Sequence, residues 1–277
     1  MNLPDDSRGI RIKMPDPCIF SFALFGGVIV AITVLSLINL ALWQIANVDV
    51  FLGVWTDEKV INSILLTMGA GLNAVLILIL IGTPLAYVLA RENFPGKGIV
   101  EALIDLPLML PHTIAGILVY ILFMSRGMIG APLASMGFFF EDAYPGIVVA
   151  MLFVSSPFYI NTVREGFEKV SIHLENVSRT LGASRFAAFR TIVLPLTYRH
   201  IYNGSVLAWG RSIGEFAAVI MIAYYPMIIS TLIYYRFTTS GIKESSAIAA
   251  VFIIVCFAIF IVLRLISRRW GGYDDRV

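Results

Sequence analysis

Residues Glu175–Leu196 read ENVSRTLGASRFAAFRTIVLPL. The stretch is polar and basic, carries Gly182 near its middle and closes on Leu194, Pro195 and Leu196, yet apolar runs flank it on both sides. What such a stretch can do depends on what the apolar runs around it are.

The 277 residues are 58% hydrophobic and 14% charged, with a mean hydropathy of +0.86. A soluble domain carries about 25% charged residues, so this chain lacks the polar surface to face water all round. An integral membrane protein is the class that remains, with lipid as its surroundings. The net charge of +2 is too small to argue for a nucleic-acid partner. Cys18 and Cys256 fall in or beside apolar runs, without the spacing of a disulfide framework or metal site. His112, His173 and His200 show no metal-ligand spacing with them, so no metal site is expected. The polar, mixed-charge opening MNLPDDSRGIRIKMPDP is unlike the short basic lead of a signal peptide, and the apolar run after it is expected to be a retained span.

A helix crossing the hydrocarbon core needs about 20 apolar residues. Six runs meet this need in whole or with help from neighbouring helices: about 19–42, 62–90, 101–124, 146–163, 201–224 and 246–266. The third is interrupted by DLPLMLPHT. Lys and Arg concentrate on the flanks that such a threading puts on one side, with fifteen there (Arg8, Arg91, Arg179 and Arg268 among them) against four on the other, Lys59, Arg126, Arg236 and Lys243. By the positive-inside rule both termini and the opening stretch face the cytoplasm. Pro84, Pro107, Pro111 and Pro157 fall within or beside spans, where each removes a backbone donor. Either a kinked, packed bundle or broken helices round a pathway would accommodate them.

The opening stretch can now be read as a cytoplasmic loop. Ser171 is a candidate N-cap. Leu174, Val177 and Leu181 then make one apolar stripe, and Glu175 and Arg179 stand four apart in the favoured order for a helix pair. Gly182 sits where a helix terminus needs a left-handed residue. A second helix is expected from Ser184, with Phe186, Phe189 and Val193 along one side and a bend at Pro195. So short a first helix is not stable alone in water. It either folds back on its own bundle or inserts its exposed face into a soluble partner.

Gly182, followed ten residues on by Ile192 and then by Leu194-Pro195, resembles the cytoplasmic loop of ABC-transporter permeases from binding-protein-dependent importers. The family's Glu-Ala-Ala is replaced by Asn176, Val177 and Ser178, with Glu175 one residue earlier. LAWGRSIGEFAAVIMIA (207–223) and LPLMLPHTIAGI (106–117) look like segments of the molybdate, tungstate and sulfate branch. The resemblance implies an all-α, type I importer permease fold of about six spans, in the cell membrane. It divides the chain into a cytoplasmic segment 1–18, one permease domain 19–266 with a coupling loop at about 168–199, and a cytoplasmic tail 267–277.

The same resemblance implies a homodimer, cytoplasmic ABC ATPase subunits that bind ATP and Mg, and an extracytoplasmic oxyanion-binding protein. Leu174, Glu175, Asn176, Val177, Ser178, Arg179, Leu181, Gly182 and Ala183 would form the ATPase-coupling interface. Molybdate or tungstate is the implied cargo, with sulfate or thiosulfate as the alternative. A stand-alone channel or secondary transporter is the rival reading, and it would bury Leu174, Val177 and Leu181 against its own bundle. The chain has no phosphate-binding loop, since FPGKGI lacks the preceding glycine and the closing hydroxyl. No catalytic residues and no cofactor of its own are expected.

Arg211 and Glu215 lie within the fifth expected span, where a charge costs about 2.5–3.5 kcal/mol. They are expected to pair on one face of a helix, as a structural ion pair or, with Ser212, as the lining or gate of a translocation route. Ser205 and Gly204, Gly210 and Gly214 add small residues that would let another helix approach.

Overall fold

The computed structural model describes residues 17–270. Along them run α1 (Pro17–Ala46), α2 (Val48–Val54), α3 (Glu58–Ile77), α4 (Thr83–Arg91), α5 (Lys97–Met109), α6 (His112–Phe123), α7 (Gly130–Ser135) and α8 (Tyr144–Lys169). There follow α9 (Ile172–Thr180), α10 (Arg185–Ala188), α11 (Leu194–Ile213), α12 (Ala217–Ile222), α13 (Ile229–Ser240) and α14 (Ile242–Trp270). No strand occurs among the described residues. The chain divides into two compact units at Asp49/Val50. The opening segment with Arg8, Arg11 and Lys13, and Arg276 in the tail, lie outside the described residues.

The first unit contains α1. From Ser21 to Ala46 it carries no charged residue, and Phe22, Phe25, Ile29 and Ile45 are each more than 70% exposed. A helix this apolar on every side is a membrane span rather than a surface helix.

In the second unit α8 is the axis. Its Ile147, Met151 and Val154 pack with Ala70 and Ala74 of α3, Ala115 and Val119 of α6, and Val219 and Ile222 of α12. Farther along, Tyr159, Val163 and Phe167 pack with Leu78, Leu89, Val193 and Ala208. A third core joins Val54, Val60, Ile229, Leu232, Ile248 and Val251. Helix α3 contributes to all three, through Val60, then Ala70 and Ala74, then Val75.

The prolines are absorbed in three different ways. Before Pro84 the helix widens into a π turn at Leu78–Gly82, so α3 and α4 run on as one helix, Glu58–Arg91. A second π turn at Phe189–Val193, where the Leu194 N–H reaches back to Phe189 O, leads into Pro195. The chain therefore stays helical through Pro195, because the wide turn relieves the carbonyl that the proline ring would otherwise strike. In α8, Pro157 cannot bond the Phe153 carbonyl, and the Ser156 hydroxyl takes it instead at 2.9 Å.

Pro111 marks a real break. Leu110 is extended ahead of the proline, as the ring demands, and α5 meets α6 at 119°. The third expected span is thus a bent pair. Four helices of the described residues are long and apolar enough to cross a bilayer, or five if the pair counts as one span. The fifth expected span, 201–224, is not one helix: α11 ends at Ile213 and α12 begins at Ala217.

The close approach of α6 to α12 depends on Gly116. A Cβ there would lie 2.6 Å from Ala218 O and 2.8 Å from both Ala218 Cα and Met221 Cβ. Backbone cannot yield as a side chain can, so Gly116→Ala is expected to destabilise the chain by about 1–3 kcal/mol, read as a lowered thermal midpoint in detergent. An unchanged midpoint would mean that the two helices separate without cost. Beyond α6, the hydroxyl and then the N–H of Ser125 bond Glu141 and hold its carboxyl below the usual carboxylate range. That clamp fastens the segment joining α6 to α8.

Candidate functional sites at the helix break and the polar loop

Two sites stand out, and local sequence builds both. At the first, α11 ends at Ile213 with Gly214 as its cap, and Glu215 caps the next helix: its Oε1 accepts the Ala218 N–H at 2.8 Å. Acidic side chains suit a helix N-terminus, where amides lack partners. The other carboxylate oxygen lies 2.8 Å from Arg211 Nη2 and 3.6 Å from His112 Nδ1. Glu215 is 2% exposed, while the Arg211 side chain retains 22%.

The expected Arg211–Glu215 pair is therefore present, but it spans a helix break rather than one face of a continuous helix. His112, whose side chain is 45% exposed, completes the cluster from the first turn of α6. Arg211 Nη2 is 3.0 Å from both ring nitrogens, so it addresses the ring rather than a single nitrogen. Its sequence signal was the Leu110-Pro111 break, which places a helix start beside the break after α11. Ser212 stands apart. It is fully buried and its hydroxyl bonds Ala208 O at 2.8 Å, on the packed side. Among the small residues, Gly204 packs on α8, with Tyr159 O 3.3 Å from a notional Cβ, whereas Gly210 faces open space.

At the second site the Ser171 hydroxyl accepts the His173 N–H and starts α9 as expected. Gly182 has φ +98°, its N–H donates to Arg179 O at 3.0 Å, and the Ala183 N–H donates to Ser178 O at 3.1 Å. This pair of bonds is a Schellman stop. Leu174, Val177 and Leu181 are 44, 43 and 84% exposed, and Phe186 of α10 is exposed beside them in sequence. Asn176 and Arg179 are exposed as well, with Ser178 and Ala183 half-buried.

Glu175 does the opposite of what the helix-pair reading expects. It is buried, its Oε1 lies 2.6 Å from Arg91 Nε, and its Oε2 accepts the Tyr87 hydroxyl at 2.8 Å. The Glu175–Arg179 pair is not formed because the Arg91 guanidinium, only 9% exposed, offers a drier and stronger partner than one in water. Arg91 also bonds Val170 O at 2.8 Å. Tyr87 and Arg91 stand four apart on α4, one turn above the other, which lets both reach one carboxylate. The expected second helix is there, but as the continuous start of α11 rather than a separate element. Asp105 accepts a 2.7 Å bond from Asn161 and ties α5 to α8.

A long-helix bundle, a bent helix pair and a capped polar helix outside the apolar runs define a multi-span membrane protein with a projecting loop. Residues 79–272 match the binding-protein-dependent transport system inner membrane component, and the chain belongs to that family. Over 255 residues it is 37% identical to a molybdate/tungstate transport system permease protein of Thermococcus kodakarensis, covering 92% of this chain and 98% of the relative. It is also 33% identical to a sulfate transport system permease protein of Salmonella typhimurium, over 78% of this chain and 79% of that one. Among solved structures, a chain of a bacterial alginate ABC transporter, determined in complex with an alginate pentasaccharide-bound periplasmic protein, has the same fold. There the TM-score is 0.72 at 21% identity, over 91% of this chain and 95% of the other. The chain is accordingly a membrane transport component and not an enzyme.

Proposed function

We propose that the chain is the membrane-spanning subunit of an ATP-driven importer for a tetrahedral oxyanion, molybdate or tungstate, working by alternating access. The observation that carries the coupling half of this reading is the exposure of Leu174, Val177 and Leu181 on α9. A stand-alone transporter would cover that stripe with its own bundle. Here the helix turns its acid inward and its apolar residues outward, which suits insertion into a groove of a soluble ATPase. The ATPase supplies ATP and Mg chemistry, and α9 with the turn to Ala183 transmits force.

The cargo half rests on the relatives, of which the molybdate/tungstate permease covers nearly the whole chain. Sulfate is the alternative that the second relative supports. An extracytoplasmic binding protein would choose among these anions, which share charge and shape. We also assign six spans with both termini cytoplasmic, α11 supplying one of them, in a homodimer, and keep the division at 1–18, 19–266 and 267–277. Arg211, with His112 beside it, lines or gates the route. Glu215 keeps the guanidinium from holding its cargo too tightly, and Ser212 serves packing.

The test is reconstitution of this chain with its ATPase and binding protein in liposomes, with molybdate, tungstate and sulfate titrated separately. ATP hydrolysis should rise with molybdate or tungstate at lower concentration than with sulfate. Anion uptake with no ATPase bound would return the molecule to the secondary-transporter reading.

A further inference from the structure

The buried joint under α9 reaches much farther than the loop it fastens. Glu175 is the buried residue of α9, so charge-assisted bonds rather than apolar packing attach that helix to the bundle. Such bonds are short, directional and about twice as strong as neutral ones. Arg91 takes the carboxylate with Nε and Val170 O with Nη2, which fixes the end of α8 in the same joint. The Tyr87 ring meets Phe167 of α8 at 5.5 Å and Phe189, at the foot of α11, at 4.8 Å between centroids. Three elements, α8, α9 and the foot of α11, therefore converge on two side chains of α4.

Arg91 ends the 34-residue helix Glu58–Arg91, a rod about 50 Å long at 1.5 Å per residue. Midway along it, Gly71 presses against the end of α11: a Cβ there would be 3.1 Å from Ile213 Cγ2 and 3.2 Å from Trp209 Cδ1. Trp209 Nε1 donates to Met68 O at 3.4 Å in the same contact. Ile213 lies between Arg211 and Glu215. Nearer the far end, the Ile229 N–H donates to Thr67 Oγ1 at 2.8 Å, which carries the contact to α13. Close-packed helices shift as units rather than deforming locally.

We infer that the Arg91–Glu175–Tyr87 joint is the transmission point at which displacement of α9 is handed to the α3–α4 rod and through Gly71 to the Arg211–Glu215 break. This rests on the importer reading above. Arg91 and Tyr87 are positioning residues: they touch neither cargo nor the exposed face of α9. Loss of the joint should leave the ATPase bound and turning over while the break no longer follows it.

The experiment compares the complete importer in liposomes with Glu175→Gln, Arg91→Met and Tyr87→Phe, measuring retained ATPase, ATP hydrolysed and radiolabelled tungstate or molybdate taken up. ATPase retention by Arg91→Met and Tyr87→Phe, both off the proposed interface, should match the unaltered chain. Uptake in the two charge variants should fall roughly tenfold or more relative to hydrolysis, the scale of a lost bond to a charged group. Tyr87→Phe keeps the ring packing, folds on that account, and should show a smaller loss of the same kind. Hydrolysis and uptake falling in proportion, or a Tyr87→Phe ratio equal to that of the unaltered chain, would reduce the joint to a fold anchor. An unaltered chain that retains no ATPase would instead sink the importer reading, and the joint with it.

Discussion

Glu215→Ala is expected to lower the stability of the detergent-solubilised chain by about 3 kcal/mol, the lower end of the range for breaking a buried ion pair. Both carboxylate oxygens are engaged, one by the Ala218 N–H and one by Arg211. Alanine removes both at once. It leaves an amide without its acceptor, which by itself costs about 1–3 kcal/mol, and a guanidinium facing only His112. The lower end applies because Arg211 keeps 22% exposure and can recruit water. Glu215→Gln retains an acceptor for the amide and loses only the charge, so it should lie between the two. Unfolding monitored by tryptophan fluorescence would give all three midpoints. Equal midpoints would show that the cap and ion pair contribute nothing to folding. Arg211→Gln separates structure from transport: a variant that folds, assembles and transports at an unchanged rate removes Arg211 from the route.

The second large effect is expected at Gly182. Proline holds φ near −65°, whereas Gly182 has φ +98° and donates its N–H to Arg179 O. Gly182→Pro can meet neither demand, so the last turn of α9 should unwind and coupled transport should be lost. Gly182→Ala meets open space within 4 Å and keeps the N–H, so it faces only the left-handed penalty of about 1–2 kcal/mol. Liposome uptake should therefore rank glycine above alanine and alanine well above proline. Proline variants that still couple hydrolysis to uptake would mean that the stop of α9 is irrelevant to its work.

The spans with unbroken apolar runs were legible because composition alone places them, as with Ser21–Ala46 and Ile242–Leu263. The cap at Ser171 and the stop at Gly182 were legible because each needs one residue type at one backbone geometry. The breaks were harder. A run such as 201–224 satisfies hydropathy whether or not it is continuous, and only the use of Glu215 as a cap decides between the two. The partners of Glu175 were out of reach for a different reason. Arg91 lies 84 residues away, and a charge pair at that separation leaves no periodicity to count. Local reasoning accordingly gave Glu175 its nearest cation, Arg179, when burial had already committed it elsewhere.

The π turn at Leu78–Gly82 has an effect on aim. An α-helix advances about 100° round its axis per residue, so the residue that a π turn accommodates resets the phase of everything after it. The rod meets the second core both ahead of the turn, at Val75, and past it, at Ala86 and Leu89, in the phase that the turn sets. Tyr87 and Arg91 share that later phase. Remove one residue from the turn and both would swing about a third of a revolution away from Glu175. The wide turn that makes room for Pro84 is thus also what points the end of the rod at its target.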